Sequence, residues 1–429
     1  MKTARSGKHR VVAMATAAIF LMGGSVWAAQ LDLTLQESID LALRQNPGMS
    51  IAQSQLDAAQ ADVSKARGAF GPSLDASTGG TYYGERKATL DNERDSYTAK
   101  LSVSLPLYSG GKLEGALGQA KANKVYYEKG YEKTKQQLVK DVTEAYFSIL
   151  QAKDKVKLSE ESVADMQSHL NNTQAFFQAG TVPKSDVLRA EVELAQNKQN
   201  LIKAQNSYNL AIAALNNLLG LDYRNEIVIK DTLTYSKVDV NLDQCIQTAL
   251  VKRPEITQAE SQIQAADEGI KVAKSGRHPT VSLSGAYGWS GTEYPPPDDD
   301  SWSVMVAAEL NLFDSNVTKA GVSKAKANKA EAESAFRQTT DNITLEVKQS
   351  FLNMREAEER IQTSLKAVEQ AREDLHIAEV RYAAGVGTHI EVMDAQVALT
   401  QAKTNYTEAL YDYNVGKASL TRAVGEEIK

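Results

Sequence analysis

The chain has 429 residues, 48 Lys and Arg against 54 Asp and Glu, a formal net charge of −6 and one cysteine. An acidic balance argues against a nucleic-acid partner, and a lone cysteine excludes a disulfide framework. No stretch beyond the N-terminal region reaches the roughly 18 apolar residues of a membrane helix, so any lipid contact has to be made by strands.

At the N-terminus Lys2, Arg5, Lys8 and Arg10 precede an apolar run over 11–22, and Ser25 to Ala28 include small residues suited to cleavage. Residues 1–28 are expected to be a secretory signal peptide, not a span. Its removal takes away four basic and no acidic residues, moving the charge from −6 to −10. Cys245 does not lie behind that segment to accept a lipid, and it reads as a small hydrophobe without chemistry.

The rest of the chain reads twice. Residues 35–46 and 242–253 predict short helices, each stopped by a proline, Pro47 and Pro254, and a second helix in each copy ends before Pro72 and Pro279. Proline disfavours helix in the residue before it. The two copies span 29–220 and 242–429, with 221–241 as a linker expected to belt the helices from outside.

After those prolines the hydrophobic period becomes two. Tyr97, Ala99, Leu101, Val103, Leu105 and Leu107 alternate with polar residues, and Trp302, Val304, Val306, Ala308, Leu310 and Leu312 do the same. Their partners, about 73–84 and 280–290, are rich in Gly and Ser, so each copy predicts a two-stranded hairpin, the second strands covering about 97–108 and 301–313. Strands of this length can cross a tilted bilayer, and Tyr and Trp near one end fit an interfacial girdle. The loops 85–96 and 291–300 are polar. Four strands cannot close a barrel, whereas several identical chains can, and closure alone leaves no unpaired edge in lipid.

From about Gly111 and Val317 the chain runs helical to Ala179 and Ala384 without a proline. Such a run is about 100 Å long at 1.5 Å per residue, too long for one globular core. Leu138, Val142, Ala145, Ile149 and Ala152, and 205 residues later Ile343, Val347, Ser350, Met354 and Ala357, step by alternating fours and threes. This spacing marks a coiled-coil seam, here with many small residues. The helical hairpins, about 111–220 and 317–424, turn at matching tips, FFQAGTVPKSDVLRAE over 176–191 and RYAAGVGTHIEVMDAQ over 381–396. In both tips a small residue and Gly precede a restart at Asp186 or Glu391.

Signal peptide, duplicated helix, strand hairpin and long helical hairpin, and the paired tips together resemble the TolC family of outer-membrane efflux and secretion ducts. The resemblance implies a mainly α protomer with a β-barrel portion. It implies a homotrimer forming one twelve-stranded barrel in outer-membrane lipid and an α-barrel crossing the periplasm. It further implies a periplasmic adaptor, an inner-membrane pump of RND, ABC or MFS type, no cofactor and no catalysis. The family's adaptor-docking tips fall on Ala179-Gly180-Thr181 and Ala384-Gly385-Val386. Its acidic constriction falls on Glu391 and Asp394, its latching tyrosine on Tyr382, and the pair that this tyrosine reaches on Ser185 and Asp186. Gly387 stands where well-known members have an arginine, with Lys184 and Arg189 as nearby substitutes.

Each of these residues also has a purely structural reading. Gly180 and Gly385 suit left-handed helix C-caps. Thr388 and Glu391 have capping-box spacing, and Asp186 and Asp394 favour a first helical turn through the helix dipole. Two other classes fit the sequence less well. An enzyme lacks support, because His169, His278, His376 and His389 form no i, i+4 pair and there is no phosphate loop or nucleophile elbow. A periplasmic coiled-coil adaptor needs one hairpin with β-rich modules, not two hairpins with bilayer-length strands.

Overall fold

The computed structural model describes residues 31–82, 95–222, 224–225, 227–294 and 299–426. The expected signal peptide and the loop residues 85–94 and 295–298 lie outside the described residues. The first copy contains β1 (Leu31–Asp32), α1 (Leu35–Gln45), α2 (Pro47–Gly68), β2 (Ser73–Tyr82), β3 (Asp95–Tyr108), α3 (Lys112–Gln178) and α4 (Lys184–Leu219). After β4 (Ile227–Val228) the second copy repeats the pattern as α5 (Leu242–Lys252), α6 (Pro254–Lys274), β5 (Thr280–Gly291), β6 (Asp299–Glu309), α7 (Val317–Ala383) and α8 (His389–Val424).

Local chemistry sets the helix boundaries. Thr34 and Glu37 close a full capping box at the start of α1, satisfying two otherwise orphaned donors. Asn46 and Arg253, each followed by proline, share φ near −65° and ψ of 126°, the extended geometry that a following proline imposes. Gly220 and Gly425 end α4 and α8 in the left-handed region, at φ of 69° and 79°.

The four long strands form one antiparallel sheet, ordered β2-β3-β5-β6. The two hairpins expected from the sequence are thus joined edge to edge through β3 and β5. Register decides the chemistry of the faces: Leu74 pairs with Val103, Leu101 with Tyr287, Leu105 with Leu283, and Tyr287 with Trp302. Because partners directly opposite share a face, every apolar alternation falls on one side. Ser77, Lys100, Ser102, Ser284 and Ser303 fall on the other. The apolar face is bare in the protomer, with Trp302 75% and Val304 68% exposed. Within the chain β2 and β6 each keep one unpaired edge.

β6 stops earlier than the alternation predicts. It ends at Glu309, not near 313, because Asn311 accepts a hydrogen bond from the Phe313 amide at 3.1 Å and Ser315 and Asn316 adopt positive φ. An asparagine bonding the backbone two residues on turns the chain out of the sheet.

The helices α3 and α7 have 67 residues each, and α4 and α8 pack back along them. At mid-length of the long helices two cores fill, one around Val142, Tyr146, Ile149 and Leu215 and one around Val347, Met354, Tyr413 and Leu420. Towards the tips each hairpin keeps its own seam, with Met166 and Leu170 against Ala190 and Leu194, and Leu375 and Ala378 against Val392 and Ala395. Among the described residues no helix is long and apolar enough to cross a membrane.

Candidate functional site: the hairpin tips and the seam between them

Both tips are Schellman turns. The Gly180 amide donates to Phe177 O at 2.9 Å and the Thr181 amide to Phe176 O at 3.0 Å, matched by Gly385 to Tyr382 O and Val386 to Arg381 O at 3.0 Å each. Gly180 and Gly385 carry φ of +75° and +74°, and open space surrounds the position of a Cβ on either. The requirement for glycine here is therefore backbone conformation, not crowding. Ala179, Thr181, Ala384 and Val386 are exposed beside them.

Gly387 differs. A Cβ there meets the Tyr382 amide nitrogen at 2.9 Å and Arg381 C and Cβ at 3.0 Å, so this turn has no room for a side chain. Arg381, one turn back on α7, stands instead 3.7 Å from the Glu391 carboxylate. Glu391 makes only half of a capping box: its amide donates to Thr388 Oγ1 at 3.2 Å, while its side chain faces Arg381. The position of Arg381 before the tip carries no spacing signal for this contact with Glu391.

Inside the tips, α3 lies against α8 through polar contacts. Lys155 donates to Glu408 at 2.9 Å, Lys403 to Glu161 at 2.8 Å, and Gln396 to Asp165 at 3.1 Å, with Ser162 and Thr400 hydroxyls 3.2 Å apart. The rung nearest the tip is His169 Nε2 to His389 Nδ1 at 2.7 Å, with the rings stacked at 4.7 Å between centroids. Each hairpin is thus apolar inside, and the two hairpins are joined by hydrogen bonds and ion pairs. Four histidines with no helical i, i+4 spacing hid this couple, because the partners come from α3 and α8, 220 residues apart.

Tyr382 packs over the couple, 5.5 Å from the His169 ring and 5.6 Å from Phe176, its hydroxyl 3.4 Å from Thr173 Oγ1. Its hydrogen-bond partner within the chain is therefore Thr173. Ser185 donates to the Asp186 carboxylate at 3.3 Å in the first turn of α4. Arg189, Leu188, Val192, Ile390, Met393 and Asp394 line a shallow cleft of about 420 Å³ between α4 and α8, with His389 at its edge. Burial, then the charge of His389, pushes His169 down to about 4, and burial also lowers His389 against the favourable field of Asp186. Among the described residues no three His, Cys, Asp or Glu side chains converge to hold a metal ion.

A duplicated protomer with two rods about 100 Å long, a bilayer-high sheet with one apolar face, and polar seams between the rods defines the subunit of a membrane-spanning duct. The outer membrane efflux protein family matches residues 38–221 and again 245–426, once in each copy, and the chain belongs to that family. Outer membrane protein TolC of Vibrio cholerae serotype O1 is 24% identical over 427 residues, covering 96% of this chain and 94% of its own. A membrane protein from Pseudomonas aeruginosa has the same fold, with a TM-score of 0.83 at 22% identity over 93% of this chain and 92% of its own. The Campylobacter jejuni CmeC outer membrane channel follows, at 0.82, 18% identity, 91% of this chain and 85% of its own. The chain is an outer-membrane efflux channel that reaches into the periplasm. Members of the family are transport channels that work with periplasmic adaptors and inner-membrane pumps.

Proposed function

We propose that three copies of this chain close one twelve-stranded barrel and one periplasmic helical tube, and that the tube narrows at Glu391 and Asp394. The sheet carries this reading. Its apolar face, exposed in one protomer, needs lipid, and its free β2 and β6 edges need partners. Because the four strands alternate in direction, the β6 edge of one copy meets the β2 edge of the next antiparallel, as barrel closure requires. The bundle flanks agree: α4 exposes Leu188, Val192 and Ile202, and α7 exposes Leu345, Leu352 and Val380. Cysteine pairs scanned along β2 and β6 in a Cys245→Ser background test this, and should give covalent three-chain species at one register. Two-chain products at every register would oppose it.

In this assembly Glu391 and Asp394 bring six carboxylates to one axis, and low-dielectric walls focus their field on passing ions. Tyr382, Ser185, Asp186, Lys184 and Arg189 flank that constriction, with Tyr382 over the seam between the two hairpins of one protomer. The exposed tips at Ala179-Gly180-Thr181 and Ala384-Gly385-Val386 dock the adaptor, through which an inner-membrane pump of RND, ABC or MFS type loads the duct. Cargo passes from that pump to the outside.

A further inference from the structure

We propose that the His169–His389 couple is an acid-released rung, holding the second hairpin to the first near neutral pH and letting the tips part when the periplasm acidifies. The inference deepens the gate reading, since it names a regulator of that constriction, and its geometry stands within a single protomer.

The contact admits only certain protonation states. At 2.7 Å between Nε2 of His169 and Nδ1 of His389, one nitrogen has to donate and the other accept. A doubly protonated pair presents hydrogen to hydrogen and sets two positive charges in rings 4.7 Å apart. Even one added proton is poorly placed. His389 is 4% exposed, and its Nε2 is buried without a hydrogen-bond partner, so an imidazolium there has an N–H that neither water nor protein satisfies.

The surroundings offer partial compensation. From α3, Asp165 faces the seam but its carboxylate accepts from Gln396. From α4, Asp186 favours a proton on His389 and Arg189 opposes it, while Glu193 lies along the cleft. From α7, the Tyr382 ring stands 5.5 and 6.4 Å from the two imidazoles. On α8 itself Glu391 is engaged by Arg381, and Asp394 lines the cleft one turn away. Burial outweighs these fields, and both rings titrate below the ordinary 6.5, His169 at about 4.

The sign follows from linkage. Parted rings regain ordinary proton affinity, so protons bind the parted state more tightly than the stacked one. The stacked state is fully favoured above the ordinary value of 6.5 and weakens as pH falls towards about 4, by up to about tenfold per pH unit for each proton taken up on parting. The other rungs pair lysines, carboxylates, an amide and hydroxyls, and none of them holds an imidazole, the side chain whose charge ordinarily changes between pH 5 and 8. The couple is the rung that changes in that window.

Spin labels at Asn172→Cys on α3 and Ala398→Cys on α8, both exposed, in a Cys245→Ser background, read the separation directly in the assembled, detergent-solubilised protein. Between pH 7.5 and 5.0 the distance distribution should lengthen and broaden. In His169→Gln/His389→Gln, where neither side chain titrates, it should stay at its neutral-pH form. Single His169→Gln and His389→Gln variants serve if the double variant does not assemble, and each should flatten the response. An unchanged wild-type distribution would overturn the proposal, as would a Gln variant that moves like wild type, since carboxylates would then be responsible. Planar-bilayer conductance on the same samples separates the two readings. Labels that part without a conductance change leave the rung standing and remove the constriction from this end of the tube.

Discussion

Asn46 and Arg253 occupy the same place in the two copies and make the same contact with different chemistry. Asn46 Nδ2 donates to Leu218 O at 2.9 Å, and Arg253 Nη1 donates to Ala423 O at 3.1 Å; Leu218 and Ala423 are themselves 205 residues apart. Both side chains tie the proline break between the short helices to the last turn of the returning helix, where carbonyls lack intrahelical partners. In the second copy the tie has grown into a buried cluster. Arg253, 2% exposed, bonds both Glu255 oxygens at 2.7 and 2.8 Å and lies 3.1 Å from Glu346, and Arg422 reaches both glutamates.

The two substitutions should therefore differ in cost. Asn46→Ala loses one hydrogen bond and a cap, about 1–2 kcal/mol. Arg253→Met breaks a buried charge network and leaves Glu255 and Glu346 to share Arg422, at most about 3–5 kcal/mol. Thermal unfolding followed by circular dichroism should show the larger drop for Arg253→Met. Equal drops would mean that the carbonyl contact alone matters in both copies.

The sheet predicts a face-dependent response to charge. Val304→Asp puts a carboxylate on the apolar face, where an acidic residue at mid-bilayer costs less than the roughly 2–4 kcal/mol of a basic one but is repeated in every copy. Met305→Asp, on the opposite face, should be tolerated. Outer-membrane fractionation should recover the second variant and not the first, and equal recovery of both would contradict the assignment of faces.

At the tips, Gly180→Val and Gly385→Val each impose about 1–2 kcal/mol of left-handed strain without a steric clash, given the open space around both positions. Pump-dependent export should fall more than trimer yield. Parallel loss of both would reduce these glycines to helix caps.

The proposed constriction is tested by Glu391→Gln/Asp394→Asn, which should weaken cation preference and block by multivalent cations in planar bilayers. Arg381→Gln frees Glu391 and should change selectivity in the opposite sense. Tyr382→Phe removes a hydroxyl whose contact within the chain is a 3.4 Å approach to Thr173. A conductance rise in that variant would locate its stronger partner in a neighbouring protomer. Unaltered selectivity in Glu391→Gln/Asp394→Asn, with lower thermal stability, would make those carboxylates caps.

Much of the fold was legible because it repeats. A seam position such as Val142 or Val347 announces itself by spacing, both being fully buried, and Pro47, Pro254 and the tip glycines punctuate the chain through backbone rules that act locally. What periodicity cannot carry is which element meets which. The joining of β3 to β5 depends on register between copies, and Asn311 ended β6 through a local side-chain turn inside an unbroken alternation. The same limit hid the inter-hairpin ladder. His169 and His389 lie off the apolar seams and have no counterparts 205 residues away, where Asp374 and Lys184 stand. Arg381 meets Glu391 only through the turn of the tip, a contact that spacing along one helix does not announce.

The central claim is that one chain supplies a third of a closed barrel, and the mass of the detergent-solubilised particle tests it most directly. Native mass spectrometry, or light scattering corrected for bound detergent, should give three chains in a particle that aggregates when detergent is removed. A stable monomer in water, with the apolar face of Trp302 and Val304 covered by nothing, would contradict it.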